Sequence, residues 1–300
     1  MTNMEIIGVP LDLGADRRGV DMGPFAIRYS GLSEKLRSLG HRVIDFGNIP
    51  TPVAEEAKIE YSNAKFLSGV RAVCLDLSHK VSGLIRNDRF PLILGGDHSI
   101  AIGTLAGIYR GRHNREGGVI WLDAHGDFNT PEITPSGNIH GMSLAISSGM
   151  GGKWFPNPPW PHRAVDPSRI AIVGARELDP IERKNLRKNG VSVFSMADID
   201  RLGMQEVMSE AIRTASASGD SFHVSFDMDV VDPGDAPGVG TPVRGGITYR
   251  EAHLAMEMIH ESGAMESLEV VEVNPILDQH NATAELATEL ILSSMGKKII

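Results

Sequence analysis

Three hundred residues, 41% of them hydrophobic and 22% charged, have the balance of a folded globular chain and exclude a disordered one. Lys and Arg number 29 against 38 Asp and Glu, a formal net charge of -9, which argues against affinity built on neutralising nucleic-acid phosphates. No apolar run reaches the roughly eighteen residues of a membrane span, and the start MTNMEIIGVPLDLG lacks the basic-then-apolar pattern of a leader. A lone Cys74, set between Val73 and Leu75, reads as a buried small hydrophobe and suits a reducing compartment, so a soluble, cytoplasmic protein is expected.

Strand-length apolar runs recur along the chain: 4–9, 42–46, 90–94, 118–123, 168–173, 191–194, 221–226 and 267–273. Most are apolar on both faces rather than alternating, the mark of strands covered on both faces of a parallel sheet. Helical periodicity fills the intervals at 23–39, 61–85, 99–109, 205–217, 249–262 and 282–295. This alternation predicts an α/β fold, a single doubly wound, mainly parallel sheet of about eight strands flanked by helices in three layers. Without a linker, repeat or low-complexity tract, one domain over 1–300 is expected. Two segments, 126–140 and 228–246, fit neither period, and each follows a strand, where ligands of open α/β sheets bind.

Three motifs carry chemistry. LILGGDHSI places His98 just beyond a strand. In IWLDAHGDFNT, Asp123, His125 and Asp127 alternate, and in extended backbone such residues share a face. VSFDMDVVDPGDAPGVGTP repeats the spacing with Asp227 and Asp229, a like-charge pair that burial would penalise without cations. Asp232 and Asp235 lie in a Pro/Gly turn and read as turn-shaping residues. Four carboxylates and two imidazoles exceed the needs of one tetrahedral zinc. They suit two divalent ions sharing carboxylates, and their oxygen content favours manganese. Such a pair lowers the pKa of a water, which makes hydrolysis the natural chemistry.

GGDHS, DAHGD and SFDMDVVDPGDAPGVGTP, in that order, resemble the ureohydrolases, which hydrolyse guanidino groups at two manganese ions to release urea. The likeness runs from GVPLDLGADRRG to EVNPILD, and within the family it favours the branch that converts L-arginine to L-ornithine and urea by a metal-bridging hydroxide. The resemblance implies His98 and Asp127 on one ion, His125 and Asp229 on the other, and Asp123 and Asp227 bridging. It further implies Asn129 and Ser136 at the substrate carboxylate with Asn138 assisting, His140 as proton shuttle and Glu272 as the carboxylate that orients the guanidinium. Thr241 would pack beside Glu272. Asp179 would lie near the substrate ammonium, and Glu177 stands where some members carry an aspartate. A homo-oligomer, trimer or hexamer, is the family expectation. The competing readings are hydrolysis of agmatine or another guanidino acid on the same ions, and a catalytically silent metal-binding relative.

Overall fold

The computed structural model describes residues 1–298. Its eight strands are β1 (Asn3–Val9), β2 (Arg42–Asn48), β3 (Phe90–Gly95), β4 (Gly117–Leu122), β5 (Val165–Ala175), β6 (Ser192–Ser195), β7 (Phe222–Asp227) and β8 (Met265–Val271). They form one sheet in the order β2-β1-β3-β8-β7-β4-β5-β6, and every neighbouring pair is parallel. The expected α/β class, with its doubly wound sheet, is what the chain adopts. Among the described residues no helix is long and apolar enough to cross a membrane.

Alternation along a strand explains why these runs are apolar on both faces. In β4, Ile120 and Leu122 face one core and Val119 and Trp121 the other. The first core packs the helices Gly23–Tyr29, Leu32–Ser38, Met204–Ala215, Tyr249–Ser262 and Ala282–Ser294 on the sheet. The second packs Leu67–Arg86 and Ala101–Gly111, with Cys74 fully buried between them and its thiol pushed up by burial.

Local boundaries depart from the expected ones for identifiable reasons. The helix foreseen over 23–39 breaks at Gly31, whose φ of 80° belongs to a left-handed turn. The helix foreseen from Tyr61 begins only at Leu67, after Phe66 with φ 52°, and residues 61–66 run as an irregular segment. Pro180–Lys188, dominated by charged residues, and Met196–Leu202, only seven residues long, are helices outside the expected set, yet each opens on a capping box, Asp179 with Glu182 and Ser195 with Asp198.

The strand order positions the site. From β4 the chain moves outward to β5, whereas from adjacent β7 it moves the other way to β8, so their carboxyl ends flank a crevice. The irregular segments beyond β4 and β7 open there, flanked by the turns after β3 and β8.

Two glycines test the packing with opposite signs. A Cβ on Gly118 would lie 1.9 Å from the Ala215 carbonyl oxygen, so Gly118→Ala is expected to destabilise by more than about 2 kcal/mol. Gly83, inside the helix Leu67–Arg86, meets nothing within 4 Å, and Gly83→Ala is expected to stabilise by about 0.5–1 kcal/mol in chemical denaturation.

Candidate active site

The carboxylates and imidazoles singled out from the sequence come together, but extended backbone is not what unites them. β4 ends at Leu122; the chain bends at Ala124 and His125, and Asp127 takes a left-handed φ of 48°. Its carbonyl is held there by the backbone N–H groups of Leu144 and Ala145, at 3.1 Å each. Likewise Asp227 is the last residue of β7 and caps a single turn containing Asp229, whose N–H donates to Asp227 Oδ1 at 2.8 Å. The spacing of two therefore acts through tight turns at strand ends.

His98 Nδ1 faces three carboxylate oxygens at once: Asp227 Oδ2 at 3.1 Å, and Asp123 Oδ2 and Asp127 Oδ2 at 3.2 Å. His125 Nδ1 faces Asp229 Oδ2 at 3.0 Å and Asp123 Oδ1 at 3.4 Å. His98, Asp123 and Asp227 gather ligand atoms close enough for one cation, as do Asp123, His125 and Asp229, so Asp123 belongs to both sets. One ring nitrogen has at most one proton to share among three anions. Donors about 3 Å apart are instead spaced like neighbouring ligands around an ion roughly 2.1 Å from each.

The surroundings of His98 fix which nitrogen is bare. Ser225 Oγ donates to Glu269 Oε1 at 2.7 Å, so it accepts from His98 Nε2–H, also at 2.7 Å. Burial opposes the charge on Glu269, but His223 outweighs it and holds the carboxyl below its ordinary range, as an acceptor. This chain leaves the Nδ1 lone pair pointing at the three carboxylates, an arrangement that only a cation makes favourable. Without one, burial lowers the affinity of His98 for a proton, yet the facing carboxylates hold its pKa well above the ordinary histidine range. Asp227 is pushed up by burial and by the charges of Asp229 and Asp123. The donor set thus fits divalent metal ions.

Above the six residues opens a cavity of about 520 Å³. Glu272 reaches its wall from beyond β8 with φ 64°; Oε1 accepts from His98 N–H at 2.9 Å and lies 3.0 Å from His140 Nδ1. Its other oxygen, Oε2, is buried without a partner. Burial works against the His140 charge, but Glu272 raises its pKa to about 9.

Asn129 and Asn138 line the cavity; Asn129 donates from Nδ2 to Asp179 Oδ2 at 2.9 Å. Ser136 does not line it: exposed, it accepts the Asn138 N–H at 3.2 Å and shapes the turn. Thr241 lines the cavity, and its hydroxyl donates to Asp229 Oδ2 at 3.0 Å. Glu177 Oε2 lies 3.8 Å from His125 Nε2, on the His125 side of the cavity. Asp232, as its turn position suggested, accepts from the N–H groups of Gly234, Gly245 and Gly246.

Several supporting residues escaped sequence reasoning. Trp121 stacks on His98 with ring centroids 4.0 Å apart and donates its indole N–H to Asp123 Oδ2 at 2.8 Å. Glu182 accepts the N–H groups of Phe128 and Asp179, both at 2.9 Å, and burial raises its pKa to about 7. The signal for Ser225 and Glu269 was present: polar residues inside buried strand runs, where each needs a partner.

The family model of the arginases matches residues 2–296. The chain belongs to the arginase family. Arginase of Bacillus subtilis (strain 168) is 51% identical over 297 residues, 99% of each chain. The crystal structure of arginase from Bacillus subtilis superposes with a TM-score of 0.92 at 50% identity over the whole of both chains. The native structure of arginase from Bacillus caldovelox gives 0.93 at 47% identity, again over both whole chains. Arginase-family membership thus rests on likeness along the full chain.

Because bound metal replaces protons at imidazole nitrogens whose pKa values are raised, uptake of divalent ions is expected to release protons and to tighten as pH rises. Calorimetry in buffers of different ionisation enthalpy checks this. Ser225→Ala, which strips His98 Nε2–H of its acceptor, is expected to weaken metal affinity about ten- to a hundredfold in a chelator competition.

Proposed function

We propose that the chain hydrolyses L-arginine to L-ornithine and urea, with two manganese ions held by His98, Asp123, His125, Asp127, Asp227 and Asp229. The observation that carries this reading is the pair of donor groups sharing Asp123 beneath a cavity into whose wall Glu272 is set with one carboxylate oxygen unpaired. The oxygen-rich donor set favours manganese over zinc or copper. Two such ions, when bound, make a nucleophile of water near neutrality and stabilise charge on the adding oxygen.

The remaining work falls to side chains. A guanidinium is protonated at any working pH and presents paired N–H groups; a buried carboxylate oxygen without a partner is a matching acceptor, which supports Glu272 as the group that orients it. Water adds to the guanidinium carbon, the bond to the δ-nitrogen breaks, and that nitrogen leaves as an amine needing a proton. His140, protonated near neutrality and bonded to Glu272, is placed to supply it. Asn129 and Asn138, with Ser136 behind Asn138, hold the substrate carboxylate, Asp179 attracts the ammonium, and Thr241 steadies Asp229. The chain works as one domain over 1–300 in the cytoplasm, as a homo-oligomer, trimer or hexamer, to which exposed apolar residues such as Phe25 and Tyr29 offer surface.

Metal analysis of manganese-loaded protein is expected to give about two ions per chain; saturation near one with full activity overturns the dinuclear reading. His140→Ala is expected to keep its metal and lose about a hundredfold or more in kcat, whereas loss of manganese would make His140 a ligand.

Substrate choice separates L-arginine from agmatine, which lacks the carboxylate. A site built to bond a polar group rejects an analogue without it by up to about four orders of magnitude in kcat/KM. A strong preference for L-arginine is therefore expected, reduced in Asn129→Ala and Ser136→Ala through poorer use of L-arginine. Equal turnover of agmatine by the unaltered chain overturns the substrate assignment and leaves family membership intact.

A further inference from the structure

Residues 61–66, left outside the helix that begins at Leu67, brace the far side of the loop proposed to hold the substrate carboxylate. Asn63 Nδ2 donates to the Pro131 carbonyl at 2.7 Å, and the Lys65 backbone N–H donates to the Gly137 carbonyl at 2.9 Å. Contact is close enough that a Cβ on Gly137 would fall 2.0 Å from the Ser62 carbonyl oxygen, and Gly137 itself has φ 76°. From this strut the Lys65 ammonium reaches two groups, Asp16 Oδ1 at 2.8 Å and Asn138 Oδ1 at 3.1 Å.

An ammonium can only donate, so it accepts one end of the Asn138 amide and refuses the other. With Oδ1 turned to Lys65, the N–H groups of this buried, cavity-lining amide are left for Asp16 and for the cavity. Turned about, the amide would offer an oxygen to an incoming carboxylate and repel it. Asp16 keeps the ammonium in place: partial burial opposes its charge, but contacts with Lys65 and Asn138 hold its carboxyl below the ordinary range.

We propose that Lys65 is a positioning residue for carboxylate selectivity, fixing the Asn138 amide so that it donates into the cavity. This rests on the L-arginine reading above. A basic side chain from outside the loop thus stands behind one of its neutral donors.

The test compares Lys65→Met and Lys65→Arg with the unaltered chain, each fully loaded with manganese. Substrates are L-arginine and agmatine; L-ornithine and putrescine, with and without the carboxylate, are the competing inhibitors. In Lys65→Met, KM for L-arginine and the inhibition constant of L-ornithine are expected to rise about tenfold or more, as for a lost charge-assisted bond, with kcat and both agmatine constants within about twofold. Lys65→Arg, still a pure donor, is expected to restore most of the difference. Equal losses on the two substrates, a fall confined to kcat, or no change overturns the role of Lys65. An unaltered chain with no preference for L-arginine overturns the substrate reading instead, so the two failures are distinct. Should Lys65→Met not accumulate as folded protein, Lys65→Gln carries the same test, because an amide that can also accept no longer fixes Asn138.

Discussion

Four carboxylates buried within hydrogen-bonding distance of two imidazoles are the constraint around which this fold is arranged. Like charges so placed repel strongly in a poorly solvated interior, and burial first, then that repulsion, raises the pKa values of Asp127 and Asp227. A parallel sheet offers one location where it can be relieved. At the crevice between β4 and β7, backbone N–H groups point at the carboxylates, as those of His125, Asp229 and Ala124 do toward Asp123, Asp227 and Asp229. Residual charge is left to ions. The stability of the two cores thereby carries an electrostatically unfavourable floor to the cavity.

Substrate recognition is hung on the same floor. Glu272 touches the backbone of His98 through one oxygen and leaves the other free, so the group proposed to orient the guanidinium is registered against a proposed metal ligand. Glu182 performs a comparable tie on the other wall, joining Phe128, next to Asp127, to Asp179. In the proposed binding mode, small displacements of the floor therefore reach both ends of the substrate. Such coupling suits a reaction in which water, guanidinium carbon and leaving nitrogen must be aligned.

What was legible in the sequence followed from period and chemical type. Runs such as Val119 to Leu122, apolar at every position, revealed doubly covered strands, and the recurrence of Asp and His just beyond them revealed the site. Less legible were features that depend on turn geometry. The left-handed Asp127 and Glu272 cannot be inferred from an alternating pattern that assumes extended backbone. Helix Pro180–Lys188 was masked because charged residues dominate it, although its capping box was in plain view. The apolar residues from Val70 to Leu84 suggested a helix starting at Tyr61, but the backbone at Phe66 placed six residues outside it, where they meet a loop some seventy positions away. Contacts of that range have no local signature.

Trp121 gives the site one more property. Its indole lies parallel to the His98 ring, 4° between the planes, and is bonded through its N–H to the carboxylate shared by both donor groups. The chain has three tryptophans, and the other two, Trp154 and Trp160, belong to the segment that precedes β5. Any change of charge at His98 or Asp123 is thus felt by one chromophore out of three, within van der Waals reach. Occupancy of the floor of the cavity becomes an optical quantity, readable from intrinsic emission without a label, a substrate or turnover.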